Sequence, residues 1–387
     1  MKPFFLLSCF ILCVFSATCF AQSIQQHNRL LPVLDKTKSY PPKKIEFDIV
    51  VTYVPLETSH GVLLDGACRL RYISNEKFVL SDEIRGDVFI FNKDGKILSS
   101  FNQKGGLGYS FLTFLAYDEK RNKLFILDHI TKKIFVYSEN GTLLCSFKTP
   151  QNTHIVEIYN FDDNTLLAFD EDINGSDQPT KPYVYIAKND GKIIDHVNIE
   201  VGKVNPTRME GVGKDGASSL WITHYGIPDN CKFGNDFILA NKSMDTVYIL
   251  KQNKMLIPLF TQTPSVHSEH PTAASVGMMS NRFLKICVAS YDLEESKKAY
   301  EKGVRWRPKF RFFVLDMNLG EFFEDSDRGN FTVHKVDIPK NQSVELMQAI
   351  NLVNSYKSGR LKNGLKKEVS SKLDIGDNPV IEIKKFK

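Results

Sequence analysis

The 387-residue sequence has no CxxC pair, no Gly-x-Ser-x-Gly elbow, no HExxH helix and no Walker loop. The linear signatures of structural zinc, serine hydrolysis, zinc peptidases and nucleotide binding are therefore missing. Cysteine is scarce once Cys9, Cys13 and Cys19 of the N-terminal segment are set aside. Cys68, Cys145, Cys231 and Cys287 are widely spaced and have no His partner at ligand spacing. That pattern excludes a disulfide-dense scaffold and leaves buried free thiols or a single disulfide. An excess of one charge sign is also lacking: the formal net charge is +5, far from the concentrated basicity of a nucleic-acid binder, so no nucleic-acid partner is expected.

Residues 1–21, "MKPFFLLSCFILCVFSATCFA", hold one lysine, an apolar run from Phe4 to Phe15 and small residues ending at Ala21. This is the layout of a secretory leader, with cleavage expected before Gln22. A lipoprotein leader is the competing reading, because Cys9, Cys13 and Cys19 lie here and a lipid could be attached to one of them, with "LLSC" before Cys9 and "SATC" before Cys19 as the two contexts to weigh. The run is too short to span a bilayer, so membrane contact is expected only through such an anchor. The expected location is exported: periplasmic, cell-surface or secreted. Residues 22–43 are expected to be a linker, and 44–387 one domain.

Internal repeats organise that domain. "KFVLSDEIRGDVFIFNKDGKILSSF" (77–101) lies over "KLFILDHITKKIFVYSENGTLLCSF" (123–147) at an offset of 46 without a gap, placing Asp82 on Asp128, Gly95 on Gly141 and Phe101 on Phe147. A third copy spans 166–199 with a middle loop eight residues longer. A degraded fourth covers 236–260, and a fifth pairing joins 282–291 to 309–323 across a charged insertion. Each unit alternates apolar and polar residues over five to seven positions, the period of strands. "NKDGK", "SENGT" and "KNDGK" supply the Asn/Asp-Gly turns of tight hairpins. Asp82 and Asp128 close a strand before a loop, where a carboxylate caps a turn.

One further strand precedes each hairpin ("CRLRYI", "FLTFLAY", "HIVEIYN"), which makes four-stranded units the size of propeller blades. The expected fold is all-β: a six-bladed β-propeller of four-stranded antiparallel blades, with seven blades as the alternative. "KIEFDIVVTYVPL" (44–56) and "NPVIEIKKFK" (378–387) each lack a hairpin partner and are expected to close the ring from both chain ends. Residues 343–373 show apolar positions at helical spacing among lysines, which predicts a helical insertion before the closing strand, packed on the propeller with its lysines in solvent. "QKGGLG" (103–108) looks like a phosphate cradle but lies between two strands, with no helix after it. Its expected role is the joint between blades.

"VPLETSHGVLLDGACRLRYI" (54–73), "FIFNKDGKIL", the glycine loop and the "NPVIEIKKFK" ending together resemble the bacterial 6-bladed beta-propeller family, exported proteins akin to NHL-repeat propellers. In that family the loop after the first blade commonly reads Gly-x-Gly-Pro-Gly-Glu. Here it is "KGGLGYSF", without the proline and the glutamate. The resemblance implies the fold, export and, in many members, a lipid anchor. It implies no reaction.

Candidate sites are few, and no catalytic residue is assigned. "DEDINGSD" supplies Asp170, Asp172, Asn174, Gly175 and Asp177 in the alternation of a calcium loop, but Lys181 stands where the bidentate glutamate belongs. Arg208, Glu210, His224 and Tyr225 flank the strand-like run containing Trp221 and are the ligand-binding candidates, placed where propeller loops gather. His267 and His270 are spaced like ligands without a third. The expected function is an exported binding or scaffold module for a protein, peptide or glycan, with no cofactor. The alternative is a calcium-assisted hydrolase or lactonase with its site in the central channel.

Overall fold

The structure, a computed structural model, describes residues 30–43, 48–59, 61–172, 175–205, 208–212, 219–223, 230–269, 272–290, 292–304, 306, 308–325 and 336–387. It is mostly β, with 49% strand and 8% helix, in a propeller-like arrangement. The expected leader lies outside the described residues.

The repeats become antiparallel meanders of four strands. The first runs through Cys68–Ile73, Lys77–Asp82, Asp87–Asn92 and Ile97–Asn102. The second runs through Phe114–Asp118, Lys123–Asp128, Lys133–Ser138 and Leu143–Lys148, and the third through Ile155–Asn160, Thr165–Asp170, Tyr183–Ala187 and Ile193–His196. A fourth meander occupies 230–263. The fifth, 272–325, carries helix α1 (Leu293–Glu301) in the charged insertion between its second and third strands.

The aligned residues share local geometry. Gly95, Gly141 and Gly191 have φ of +79°, +79° and +75°. In each copy a one-residue register shift follows the hairpin, at Ile90/Phe91, Val136/Tyr137 and Tyr185/Ile186. In the first copy Gly95 N–H donates to Asn92 O at 3.0 Å and Asn92 N–H donates to Lys96 O at 2.8 Å. This is a three-residue loop closed by a glycine bulge, not a two-residue turn.

These glycines also sit between meanders. A Cβ on Gly141 would lie 2.6 Å from Phe101 of the first meander. On Gly191 it would lie 2.5 Å from Lys148 O of the second, and on Gly95 it would lie 2.1 Å from Pro55 O. Pro55 belongs to a three-stranded sheet in which Val380–Phe386 pairs antiparallel with both Ile49–Pro55 and Gln342–Met347. The strands from the two chain ends thus pair with each other, and the sheet they form meets the first meander as the first meets the second.

Four sheets of four or more strands result, of ten, four, four and five strands, in place of the six separate blades expected. The ten-stranded sheet arises because Asp337–Ile338 pairs in parallel with Lys232–Phe233 and with Tyr72, joining the innermost strands of the fourth and first meanders. Two described strands, Arg208–Val212 and Ser219–Thr223, form a hairpin of their own. The core lies between the sheets. Phe78, Phe91, Phe125, Phe233, Phe237, Phe260 and Phe313 are almost wholly buried.

Two boundaries differ from expectation. Residues 30–43 are not a free linker: Val33–Asp35 adds a parallel strand to Thr261–Thr263, and Pro42–Lys43 adds one to Glu324–Asp325. Leu34 is fully buried and Tyr40 packs edge-on against Phe313 and Phe322, so apolar burial holds the segment down. The insertion 343–373 begins as a strand, Gln342–Met347, because its alternating Val344 and Leu346 fit a sheet face better than a helix. Helices α2 (Ala349–Lys357) and α3 (Leu365–Ser370) follow.

Candidate functional site

The second strand of each early meander ends in an aspartate, and what each carboxylate holds explains the site. Asp82 accepts the N–H groups of Ile84 and Arg85, both at 2.8 Å. Asp128 accepts those of Ile130 and Thr131, and also Ser110 N–H at 2.7 Å from the joint before its own meander. These are turn caps. Burial works against the Asp128 carboxylate, but the bonds from Ser110 and Thr131 outweigh it and hold its pKa low.

Asp170 occupies the same place in the third meander, where the following loop is longer. It accepts His154 N–H at 2.7 Å, again from the joint. Burial raises its pKa, and the His154 bond offsets this only in part. The insertion leaves Asp170 facing a cleft of about 650 Å³ lined by Lys132, Asn152, His154, Glu171, Asp172, Lys181, His196 and Lys242 among others. Glu171 reaches across the cleft to the largely buried Lys242 of the fourth meander at 3.1 Å, so one ion pair fixes the spacing of its walls. His154 Nδ1 is buried and has no hydrogen-bond partner among the described residues.

A carboxyl whose pKa is raised by folding loses stability as pH rises from its ordinary range through the raised value. Asp170→Asn keeps an oxygen for His154 N–H and removes the ionisation. We expect a higher melting temperature than wild type at neutral pH and the same one below the ordinary carboxylate range. Parallel curves across that pH window would show that Asp170 does not titrate there.

The calcium loop only partly assembles. Asp170 and Asp172 line the cleft, and Gly175 adopts φ +80°. Asp177 is paired with Lys203 at 3.6 Å and is largely exposed, Lys181 lines the cleft itself, and Asn174 lies outside the described residues. Of the ligand-binding candidates, Arg208 pairs in register with Thr223 and Glu210 with Trp221 in the separate hairpin. His224, Tyr225 and His270 lie outside the described residues. His267 Nδ1 is bonded to Asn205 Oδ1 at 3.0 Å. His267 is not among the residues that line the cleft.

Sequence reasoning missed His154, Glu171, Asn241 and Lys242 as cleft residues. The one signal pointing to them was the eight-residue lengthening of an otherwise regular repeat. A second cluster, Asp65, Cys68 and Asp82, has ligand atoms within 4.8 Å of one another. Arg85 stands 3.7 Å from Asp65 and 3.1 Å from Asp82, and burial pushes the Cys68 thiol up to about 12. A protonated thiol beside a guanidinium makes a poor metal site.

The glycine loop joins two strands. Gly105 N–H donates to Tyr109 O and Gly108 N–H to Gly105 O, both at 2.9 Å, and the buried Tyr109 hydroxyl donates to Gly86 O.

No curated protein matches the sequence. Among solved structures, a Bacteroides fragilis protein presumed exported is similar over 92% of this chain and 100% of its own, with 14% identity and a TM-score of 0.59, and supports a shared fold. A Bacteroides vulgatus protein of the DUF4221 family aligns over 73% of this chain and 86% of its own, with 12% identity and a TM-score of 0.45. The Staphylococcus aureus virginiamycin B lyase aligns over 70% and 97%, with 9% identity and a TM-score of 0.34. Neither of these last two carries a functional argument. Residues 47–385 match a family defined as a domain of unknown function, DUF4934, rather than the 6-bladed family that the sequence resembles, and the chain belongs to the DUF4934 family.

Proposed function

We propose that the protein is an exported binding module, a ring of six sheets that holds a polar segment of a protein, peptide or glycan in the cleft between its third and fourth meanders. The cleft carries this reading. Its volume of about 650 Å³ falls within the range of about 300–1,000 Å³ usual for ligand sites. Three carboxylates, three lysines, two histidines and side-chain amides offer donors and acceptors on every wall. Such a lining suits a ligand rich in hydroxyl or amide groups.

The six sheets of the proposed ring are the five meanders and the sheet built from both chain ends. Its continuity is supported by the turn glycines, each lodged against the preceding sheet. Export is supported by the leader-like N-terminus and by the presumed export of the Bacteroides fragilis neighbour. The hydrolase alternative needs a metal in the central channel. Asp337, which bridges the first strands of two meanders, is held by Lys232 at 2.5 Å and does not favour that reading.

The experiment is a glycan and peptide array followed by calorimetry on the strongest hit. Asp172→Ala combined with Lys181→Ala is expected to weaken binding at least tenfold while the circular dichroism spectrum stays that of the folded protein. Unaltered affinity would place the site elsewhere. Calcium in the same calorimeter is expected to give no heat, and a saturable signal would revive the calcium reading.

A further inference from the structure

Beyond the cleft, the strongest unexplained feature is the helical hairpin that precedes the last strand. Residues 349–373 contain Lys357, Arg360, Lys362, Lys366, Lys367 and Lys372 against the single acid Glu368. These 25 residues therefore carry a charge equal to the whole chain's formal +5, and the rest of the chain is balanced. Charge this concentrated on a short exposed segment creates a local field that the chain average conceals.

The hairpin is anchored on one side only. Ala349, Leu352, Val353 and Ser370 are buried. At its tip Gly359 and Gly364 adopt φ of +68° and +132°, and a Cβ on either would meet nothing within 4 Å, so the tip stands clear of the other sheets. Lys366 lies 4.0 Å from Glu382 and Lys372 lies 2.9 Å from Glu368. Lys357, Arg360, Lys362 and Lys367 have no carboxylate at ion-pair distance among the described residues. Arg360 and Lys367 bond only the neutral Ser358 and Asn363. Beside these cations, Tyr356 is 38% and Leu365 58% exposed.

We propose that this hairpin docks the protein peripherally on an anionic lipid surface, its unpaired cations meeting phosphate headgroups while Leu365 and Tyr356 enter the interface. Charge complementarity selects a polyanion, and the two exposed apolar side chains at a projecting tip select a bilayer over an anionic glycan, which a groove would hold. Among the described residues no helix is long and apolar enough to cross a membrane, so attachment through the hairpin is to the surface.

The test is co-sedimentation of the full chain with vesicles of phosphatidylcholine alone and with added phosphatidylglycerol. The phosphatidylglycerol-dependent increment is the readout, because a retained leader contributes to both. Each basic residue near such a surface is worth about fivefold in partitioning. The triple variant Lys357→Glu/Arg360→Glu/Lys362→Glu should therefore lose at least about 100-fold of the increment. Leu365→Ser should lose several-fold, and Lys298→Glu/Lys302→Glu at the end of α1 should change nothing. Circular dichroism identical to wild type shows that the variants fold, and half-molar salt should abolish the increment. No increment in wild type, or an increment that survives the triple change, overturns the proposal. Retention on heparin without any vesicle increment overturns it in favour of an anionic glycan.

Discussion

Removal of residues 378–387 is expected to abolish cooperative thermal unfolding. The strand Val380–Phe386 is the middle strand of its sheet, paired at seven positions with Ile49–Pro55 and at six with Gln342–Met347. Without it, two edge strands from opposite ends of the chain have no partner and the first meander loses the sheet behind Gly95. Val380 and Ile381 are fully buried, so apolar packing is lost together with the ladder. A single substitution grades the effect. The buried Asn378 side chain accepts Leu64 N–H at 2.8 Å and donates to Glu57 O at 2.7 Å and Val62 O at 2.8 Å. Asn378→Ala removes three bonds worth roughly 1 kcal/mol each and leaves buried partners unsatisfied, for a loss of about 3 kcal/mol or more. Differential scanning calorimetry decides both cases. A truncated chain that still melts in one sharp transition would disprove closure by the terminal strands.

Gly191→Ala should destabilise the protein by about 3 kcal/mol, far more than a glycine-to-alanine change in an open turn. Two effects add. At φ +75° an L-residue costs roughly 1–2 kcal/mol. The new Cβ would also lie 2.5 Å from both Lys148 O and the Phe147 ring, forcing the second and third meanders apart. Gly105→Ala is the internal control, since φ is +90° there but nothing lies within 4 Å of the Cβ. It should lose only the conformational part, about 1 kcal/mol. Equal midpoints for the two variants in urea would show that the turn glycines serve conformation alone and not the contact between sheets.

That contrast also marks how far the sequence could be read. The 46-residue offset, the Asn/Asp-Gly turns and the unpartnered terminal strands are local patterns, and each appears in the structure as strands, bulged hairpins and a shared sheet. Asp82 and Asp128 were legible as turn caps because a carboxylate bonds N–H groups two and three residues on. Contacts between distant segments left no such trace. Nothing around Val336, Asp337 and Ile338 distinguishes this bridge from any other loop, and nothing in "LLPVLDKTK" announces a strand parallel to Thr261–Thr263. The cleft was half legible. Asp170 and Asp172 stood out by composition, whereas Lys242 and His154 enter through the fold, from segments 71 and 16 residues away from their partners Glu171 and Asp170. Arg208 and Glu210 stood out for their chemistry, and the structure shows of them only their register in a two-stranded hairpin.

The short parallel bridge at Asp337–Ile338 bears on how the chain comes to be folded. Tandem repeats held only by their neighbours add and lose units one at a time. Here a segment near position 337 must find Lys232, 105 residues earlier, and Tyr72, earlier still, before the innermost strands are joined. Contacts of such sequence separation form late, because the intervening loops must close first. The bridge therefore sets the order of assembly. The meanders are expected to form first and the cross-tie after them, so that the first and fourth meanders, far apart along the chain, are lost together on unfolding.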